Sequence, residues 1–176
     1  MSQTNFHFAW DGAKAAANFR KHGVRFEESM AVFDDPLALT RHDEDHGRAE
    51  ERWVTLGESD GALLVVVHTL EEADEQNVYL RIISARQSTP DERRQYESGK
   101  YRIQEAAMKN EYDFSQAVRG KFYREGAKLI GPVHVATDVV ERLAEVAAEK
   151  GISASDLANE ILRHAIDEMD VARKAR

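Results

Sequence analysis

The sequence predicts an α+β protein in two parts: a small antiparallel sheet with helices, followed by a separate strand–helix–helix unit. Three observations lead to this prediction. Strand-like apolar runs occupy residues 37–85, helical periodicity flanks them, and a second helical pattern closes the chain after residue 131. The 176 residues are enough for one ordinary domain or for two small ones.

The N-terminal part begins with a strand and two helices. Residues 6–10 alternate apolar and polar side chains, as a half-buried strand does. Asp11 can cap the helix that follows, and Gly23 suits the position just after its last turn. A second short amphipathic helix covers residues 26–33, and Pro36 ends it because proline disfavours helical geometry in the residue before it.

Four strands and a helix are expected next, joined by polar turns. A meander of antiparallel strands is the simplest arrangement for them. The strands are predicted at residues 37–39, 52–56, 62–69 and 78–85, with a charged turn at 41–50. Pro90 suits the first turn of the helix and Thr89 its N-cap, and the helical pattern runs through Tyr101 towards Met108.

The C-terminal part has a cleaner pattern. A short strand is predicted at residues 132–136, and Thr137 can cap a helix that ends at Gly151. Ser153–Asp156 is a variant capping box, and residues 157–166 carry the apolar stripe of the last helix. One strand and two helices in about 40 residues bury too little surface to fold alone, so a two-fold partner is expected.

Composition excludes several classes of protein. The chain has no cysteine, which removes disulfides and thiolate metal sites. No apolar run reaches the roughly 18 residues that a membrane span needs, and the N-terminus lacks the basic and apolar parts of a secretion signal. We therefore expect a cytoplasmic protein that does not enter a membrane.

Charge is distributed unevenly along the chain. The formal net charge of −8 argues against a general nucleic-acid-binding surface. Residues 1–98 hold 11 Lys/Arg and 19 Asp/Glu, residues 99–136 hold 7 and 4, and residues 137–176 hold 6 and 9. The basic middle segment either lies against the acidic first part or forms a solvated linker.

Three polar side chains interrupt the central strands. LLVVVHT carries His68 and YLRIISAR carries Arg81 and Arg86, although burying a cation in a sheet is costly unless it is paired or reaches solvent. The chain also carries WD at 10–11, KHGV at 21–24 and ER at 51–52. Together these runs resemble the BrnT family of toxins, small RelE-like ribonucleases of bacterial toxin–antitoxin pairs.

The resemblance implies a BrnT-like toxin domain over residues 1–98, and the remainder resembles an antitoxin joined to it. Residues 99–130 would be a linking and neutralising segment. Residues 131–170 resemble a ribbon–helix–helix module of the BrnA or CopG type, which dimerises the chain. Met108-Lys109 looks like a start of translation retained inside a longer reading frame, whether the fusion is natural or engineered.

The resemblance puts five residues in the candidate catalytic set: Lys21, Arg52, His68, Arg81 and Arg86. A ribonuclease without a metal must position a 2′-oxygen, stabilise charge on the phosphoryl oxygens and protonate the leaving oxygen. Arginine suits the second task, and histidine suits proton transfer near neutral pH. Neither a metal nor a cofactor is expected.

Each of these residues also has a structural interpretation. Arg52 has acidic neighbours and fits a surface ion pair, Lys21 fits a helix C-terminus, and His68 fits a strand end. Arg81 interrupts an apolar run and is the residue that packing explains least. Arg81 and Arg86 are five positions apart and point to opposite faces of a regular strand, so one site needs a bend or bulge near the strand end.

Two further kinds of site have weaker support. Residues 42–46 hold His and Asp, but a charged turn has the same composition, so no metal site is expected. In ribbon–helix–helix proteins, outward side chains of the paired strands read base edges of DNA. Here the only outward side chain of that kind is His134, with Lys128 just upstream, although basic or amide residues are usual. The module either binds an operator or serves only dimerisation and neutralisation.

The resulting hypothesis is a toxin–antitoxin fusion. Its toxin domain would be a metal-independent endoribonuclease when released, and the aromatic side chains of residues 112–123 would cover the cleft. RNA is the expected substrate, operator DNA a further partner, and a two-fold homodimer the expected assembly. The alternatives are a DNA-binding autorepressor with a catalytically dead toxin scaffold, and a structural oligomer with no nucleic-acid role.

Overall fold

A computed structural model of the chain describes residues 3–43, 51–74, 76–98 and 111–174. The chain divides into two compact units, residues 1–132 and residues 133–176. Among the residues described, no helix is long and apolar enough to cross a membrane. The continuation of the helix from Pro90 towards Tyr101 and Met108, and most of the charged turn at 41–50, lie outside the described residues.

The described part of the first unit consists of a seven-stranded sheet and short helices. Its elements are β1 (Asn5–Ala9), α1 (Gly12–His22), α2 (Phe26–Ser29), a 3₁₀ helix (Met30–Asp34), β2 (Leu39–His42), β3 (Arg52–Ser59), β4 (Ala62–Ala73), β5 (Asn77–Gln87), α3 (Pro90–Ser98), β6 (Val118–Arg119) and β7 (Lys128–Ile130). The mixed α+β class predicted from the sequence is confirmed.

The strand order is β6-β2-β3-β4-β5-β1-β7. Strands β2 to β5 form the antiparallel meander that the polar turns predict. The expectation of a wholly antiparallel sheet is wrong at one edge, where β1 is parallel to β5 and β7 is parallel to β1. Parallel neighbours need a long connection, and here helices and three strands separate β1 from β5 along the chain.

Local end signals in the sequence mostly behave as predicted. The Asp11 carboxylate accepts from the Lys14 backbone N–H at 2.8 Å, and Gly23 ends α1 in the left-handed region at φ 68°. The Thr89 hydroxyl accepts from the Glu92 N–H at 3.2 Å, while the Thr89 N–H donates to the Glu92 carboxylate at 2.8 Å. This reciprocal capping box starts α3.

Each face of the sheet carries a hydrophobic core. The first core is rich in aromatic rings and packs against α1, α2 and the 3₁₀ helix. The second core is smaller and includes Val54, Leu56, Val65, Val67 and Phe114. Residues of α3 and of the segment after residue 111 pack against this second core, so the two faces are covered by different parts of the chain.

A β-bulge in β5 decides which side chains share a face. Val67 pairs with Ser84 while its neighbour His68 pairs with Ile82, so one residue of β5 is left over between them. Ile82 and Ala85 consequently both point into the first core, although they are three residues apart. Arg81 and Arg86, the residues before Ile82 and after Ala85, therefore lie on the opposite face, the side of the second core.

Residues 111–130 are part of the first unit and pass around its sheet. Phe114 is buried in the second core at 3% exposure, and Val118–Arg119 form β6 beside β2. Phe122 then packs edge-on against His68 and at a tilt against Phe33 in the first core. Lys128–Ile130 form β7 beside β1. The segment thus contacts both cores and supplies both edge strands.

The second unit contains α4 (Thr137–Lys150) and α5 (Ala154–Lys174). The strand predicted at residues 132–136 is absent, because an extended stretch forms a strand only where a partner lies beside it. Thr137 is the first helical residue and Ala136 the cap, so the predicted cap is displaced by one position. Gly151 ends α4 at φ 67°, and the Ser153 hydroxyl accepts from the Asp156 N–H at 3.0 Å, as predicted.

The second unit has almost no interior of its own. Of its described residues, Ala147 and Leu157 are buried. Large apolar side chains remain exposed along both helices and before them: Val133, Val135, Val139, Val140, Ile152, Ile161, Leu162, Ile166, Met169 and Val171. The pattern matches the expectation that this part of the chain cannot bury a core alone.

Candidate functional site

The face of the sheet that carries the second core has two distinct ends. One row across the strands places Leu56, Val65 and Arg86 side by side. A second row, four residues further along β4 and about 13 Å away, places Arg52 beside Thr69 and Arg81. We call the Arg86 row the covered end and the Arg81 row the open end.

At the covered end, Arg86 is bound to a fully buried carboxylate. Its Nη1 and Nη2 donate to the two oxygens of Glu92 at 2.8 and 2.7 Å, and Glu92 is 0% exposed. The backbone N–H groups of Thr89 and Tyr112 donate to the same carboxylate at 2.8 and 2.9 Å. Burial alone raises the pKa of Glu92, but these hydrogen bonds and the Arg86 charge outweigh it, so its pKa is lowered.

The C-terminus of α1 brings Lys21 and His22 to the electrostatic neighbourhood of Arg86. The pKa of His22 is lowered first by burial and then by the positive charges of Lys21 and Arg86. The imidazole is therefore neutral near pH 7 and can accept a proton. A neutral histidine among cations is suited to proton transfer beside a phosphate.

Asn18 holds this end of α1 against the sheet. The ladder between β1 and β5 ends at Arg81, which leaves the edge of β5 beyond it unpaired by a strand. The Asn18 amide donates to the carbonyl of Ala85 at 2.8 Å and accepts from the Ala85 N–H at 3.1 Å. The Asn18 side chain thus takes the place of a strand partner for β5 and holds the C-terminal part of α1 against the sheet.

Residues 112–114 lie over the covered end and are held there by polar contacts. The Arg86 guanidinium lies 5.6 Å from the centre of the Tyr112 ring, a cation–π distance. The Phe114 N–H donates to the side chain of Gln95 at 2.7 Å, and Arg41 donates to the Asp113 carbonyl at 2.7 Å. The cover is therefore anchored on α3 and β2 as well as on Glu92.

At the open end, the arginines stay partly in solvent. Arg81 Nε lies 2.9 Å from a Glu71 carboxylate oxygen, and the two side chains are 38% and 45% exposed. Arg52 and Arg81 flank Thr69, which is 4% exposed. An exposed ion pair of this kind contributes little to stability.

The structure separates His68 from the three candidate arginines of the sheet. It lies on the other face of the sheet at 0% exposure, with its Nε2 2.9 Å from the Thr55 hydroxyl oxygen. Phe33 and Phe122 pack edge-on against its ring. Burial lowers the pKa of His68 to about 3, so the expectation that it serves as a proton carrier within reach of Arg81 and Arg86 is corrected: it is an interior residue.

The two residues predicted to touch DNA do not share a strand. Lys128 is exposed in β7, paired opposite Asn5 in the first unit. His134 is exposed in the second unit, in the stretch before α4 that forms no strand. The sequence placed His134 on a strand at 132–136 with Lys128 upstream of it, whereas the strand in the structure is β7, which contains Lys128 and ends at Ile130.

Among the residues that the structure describes, no three His, Asp or Glu side chains gather as metal ligands would. His42 lies 3.8 Å from Glu51 and edge-on to Trp53. Asp45 and His46, the other members of the run considered for a metal, lie outside the described residues.

The arginines on this face of the sheet, helix α1 before them and the capping box of α3 after them all lie within one stretch of the sequence. Residues 10–92 match the family of BrnT, the ribonuclease toxin of type II toxin–antitoxin systems. The resemblance to BrnT inferred from the sequence is confirmed over this range, which includes Lys21, Arg52, Arg81, Arg86 and Glu92. The BrnT match does not extend to the antitoxin-like part, and no curated protein matches the chain.

Three residues that lie near the covered end were not in the candidate set drawn from the sequence. His22 was interpreted only as a cation at a helix end, but burial and the charges of Lys21 and Arg86 lower its pKa. Glu92 could have been found from the Thr-x-x-Glu spacing of the capping box. Asn18 carries no sequence signal, because an amide that completes a sheet edge looks like any other helix residue.

Proposed function

We propose that the BrnT-like region is an RNA-cleaving toxin whose chemistry occurs at the covered end, and that residues 111–123 hold it inactive within the same chain. The observation that carries the proposal is the position of Tyr112. Its backbone N–H donates to the carboxylate that holds Arg86, and its ring lies beside the Arg86 guanidinium. An RNA phosphate cannot reach Arg86 from that side while Tyr112 is in place.

The side chains at the covered end match the tasks of metal-independent RNA cleavage. Arg86 and Lys21 supply positive charge for the phosphoryl oxygens. His22, neutral near pH 7, is suited to take the proton from the 2′-hydroxyl group. Glu92 orients Arg86 and is a positioning residue, and Arg52 and Arg81 at the open end would hold the RNA backbone further along the face.

Inhibition within the chain is supported by how firmly the covering segment is attached. Phe114 occupies the second core and Phe122 the first, on the two sides of the sheet. Detaching Phe114 and Phe122 from the sheet would expose two aromatic rings to water, which costs on the order of several kcal/mol of free energy. The covering segment is thus expected to stay in place until a partner or a protease removes it.

A test uses the full chain with Tyr112 and Phe114 both changed to alanine. We expect this variant to cleave RNA and to inhibit growth, since the cover has lost its anchor and its ring over Arg86. Tyr123→Ala is the matched control, because it removes a half-buried aromatic of the same segment outside the covered end. Adding His22→Gln to the double variant should abolish cleavage while circular dichroism stays unchanged.

The outcome that contradicts the proposal is a folded double variant that leaves RNA intact even after a protease has removed the covering segment. That result would favour a second candidate: a DNA-binding autorepressor whose toxin scaffold has lost activity. The observation in favour of this alternative is the engagement of both Arg86 nitrogens Nη1 and Nη2 with Glu92. A gel shift on promoter DNA that weakens steeply with salt would support it.

The second unit is proposed to form a two-fold homodimer of the ribbon–helix–helix type. Support comes from its exposed apolar side chains and from the groove between α4 and α5, which Leu143 and Ile161 help to line. In such a dimer residues 132–136 of two chains would pair, with His134 facing outward towards operator DNA. Changing Leu143 and Ile161 to glutamate should yield a monomer by light scattering at micromolar concentration, and a parent chain that is already monomeric would contradict the dimer.

A further inference from the structure

At the open end, the sheet continues into a surface that carries stacked aromatic rings. His7 on β1 and Tyr79 on β5 pair side by side, and their rings stack with centroids 4.7 Å apart and planes 13° apart. Both point away from the first core, because they alternate with the buried residues Phe6, Phe8 and Leu80. Tyr79 is 38% exposed, so part of the stack faces solvent.

A polar contact with Asn77 fixes the orientation of the His7 ring. Its Nε2 lies 3.1 Å from the side-chain oxygen of Asn77. Asn77 is itself fixed, since its backbone N–H donates to Asp74 at 2.7 Å. A ring locked by its neighbours loses little conformational freedom when a ligand packs against it, which favours binding at this position.

Cations stand on both sides of the aromatic pair. Arg81 follows Tyr79 by two residues on the same face of β5, about 7 Å along the strand. On the other side, Leu129 of β7 packs against the first core, so Lys128 and Ile130 point to the face that carries His7. The surface therefore offers two rings stacked on each other between Arg81 and Lys128, with Glu71 beside Arg81 and Asp74 beside Asn77.

We infer that His7 and Tyr79 form a platform on which a base of single-stranded RNA stacks, with the neighbouring phosphates held by Arg81 and Lys128. Stacked bases on aromatic side chains, with cations along the backbone, are the common means of binding single strands. The inference rests on the proposed function, since it assigns a base-binding position on the path that leads to the covered end. A protein partner fits less well, because the polar side chains around the rings would lose water on contact.

Glu71 regulates how strongly this position binds. It is the ion-pair partner of Arg81, and a phosphate must displace it. The pair is exposed, so displacement costs little, but the carboxylate also repels the phosphate. Removing the charge of Glu71 should therefore strengthen the binding of RNA, whereas most substitutions near a binding surface weaken it.

The test is a fluorescence anisotropy titration of the full chain with a short oligoadenylate RNA and with an abasic strand of equal length. The platform is exposed while the cover is in place, so no release is needed. We expect the base-bearing strand to bind more tightly than the abasic one. Tyr79→Ala should weaken its binding about 5- to 150-fold, while Tyr79→Phe should preserve it.

Two further variants sharpen the result. Phe19→Ala is the matched control, because Phe19 is also an exposed aromatic side chain, 42% exposed, with the Arg25 guanidinium 4.5 Å from its ring centre. It should leave the affinity for RNA unchanged. Glu71→Gln should raise that affinity about two- to fivefold at low salt, and this gain cannot come from a misfolded protein.

The platform is overturned if the abasic strand binds as tightly as the oligoadenylate, if neither strand binds, or if Tyr79→Ala binds like the parent chain. These outcomes are separate from failure of the proposed function, which is read from RNA cleavage by the Tyr112/Phe114 double variant. Base-dependent binding without cleavage in that variant overturns the ribonuclease and leaves the platform standing. Cleavage with unchanged binding in Tyr79→Ala overturns the platform alone.

Discussion

The two ends of one sheet face hold the same type of residue in opposite circumstances. Arg86 and Arg81 lie on the same strand and the same face, and each has a glutamate partner. Glu92 is fully buried beneath Arg86, whereas Glu71 stands in solvent beside Arg81. The comparison teaches that burial of the partner, and not the presence of an ion pair, decides how much an arginine contributes to the stability of the fold.

The largest expected effect breaks the pair at the covered end. Glu92→Ala leaves Arg86 largely desolvated without its carboxylate, and it also removes the acceptor for the N–H groups of Thr89 and Tyr112. We expect the free energy of unfolding in urea to fall by about 3–5 kcal/mol. Glu71→Ala, the matched change at the open end, should cost less than about 1 kcal/mol.

The double variant Glu92→Leu with Arg86→Met refines that prediction. It replaces the buried pair with apolar side chains of similar size, so most of the lost stability should return. Equal small losses for Glu92→Ala and Glu71→Ala would show that the two ends do not differ as the structure indicates.

A second effect, of intermediate size, comes from the opposite face of the sheet. The pKa of His68 is about 3 in the folded chain and near its ordinary value of 6.5 in the unfolded chain. Between these values the unfolded chain binds the extra proton, so stability falls as pH decreases below about 6.5. Lowering the pH from 6.5 to 5 should cost about 2 kcal/mol.

His68→Asn should flatten that pH dependence. His22, whose pKa is also lowered, acts in the same direction, so the measurement is best made with and without His22→Gln. Glu92 contributes only at lower pH, because a carboxyl group with a lowered pKa loses its stabilising effect as pH falls below its ordinary value near 4.5. A His68→Asn chain that keeps the full slope between pH 6.5 and 5 would contradict the interior position of this ring.

The smallest effect on stability is expected at Arg81. Arg81→Ala should change the free energy of unfolding by less than about 1 kcal/mol, since its partner is exposed. Its effect should appear in RNA binding, where the slope of log affinity against log salt falls by about 1. An unchanged slope would mean that Arg81 contacts no phosphate.

The sequence predicted most helices and the central strands because their signals are local. Each helix end is marked by a residue that bonds to, or turns the chain beside, a neighbour a few positions away: Asp11, Gly23, Thr89, Gly151 and Ser153. Periodicity identifies the buried faces of the strands. The positions of Arg81 and Arg86 could not be derived in the same way. They share a face only because of a bulge, and no residue type between them marks where an extra residue enters the ladder.

The remaining differences have their origin in tertiary contacts. His68 is of a residue type that is common in catalysis, but the rings of Phe33 and Phe122 pack against it in the interior. The strand expected at 132–136 depends on a neighbour that the single chain does not provide. The sequence shows that residues 112–123 are too aromatic for a flexible linker, but it does not show that they contact both faces of one sheet.

The path of residues 111–130 has a consequence for the domain that loses this stretch. The same stretch of chain covers the edge of β2 with β6 and the edge of β1 with β7. Unpaired strand edges invite association with other chains. Loss of this stretch would expose two unpaired strand edges, so a chain shortened before residue 111 should aggregate. Under the proposed function, such a chain would inhibit growth only while new copies of it are made.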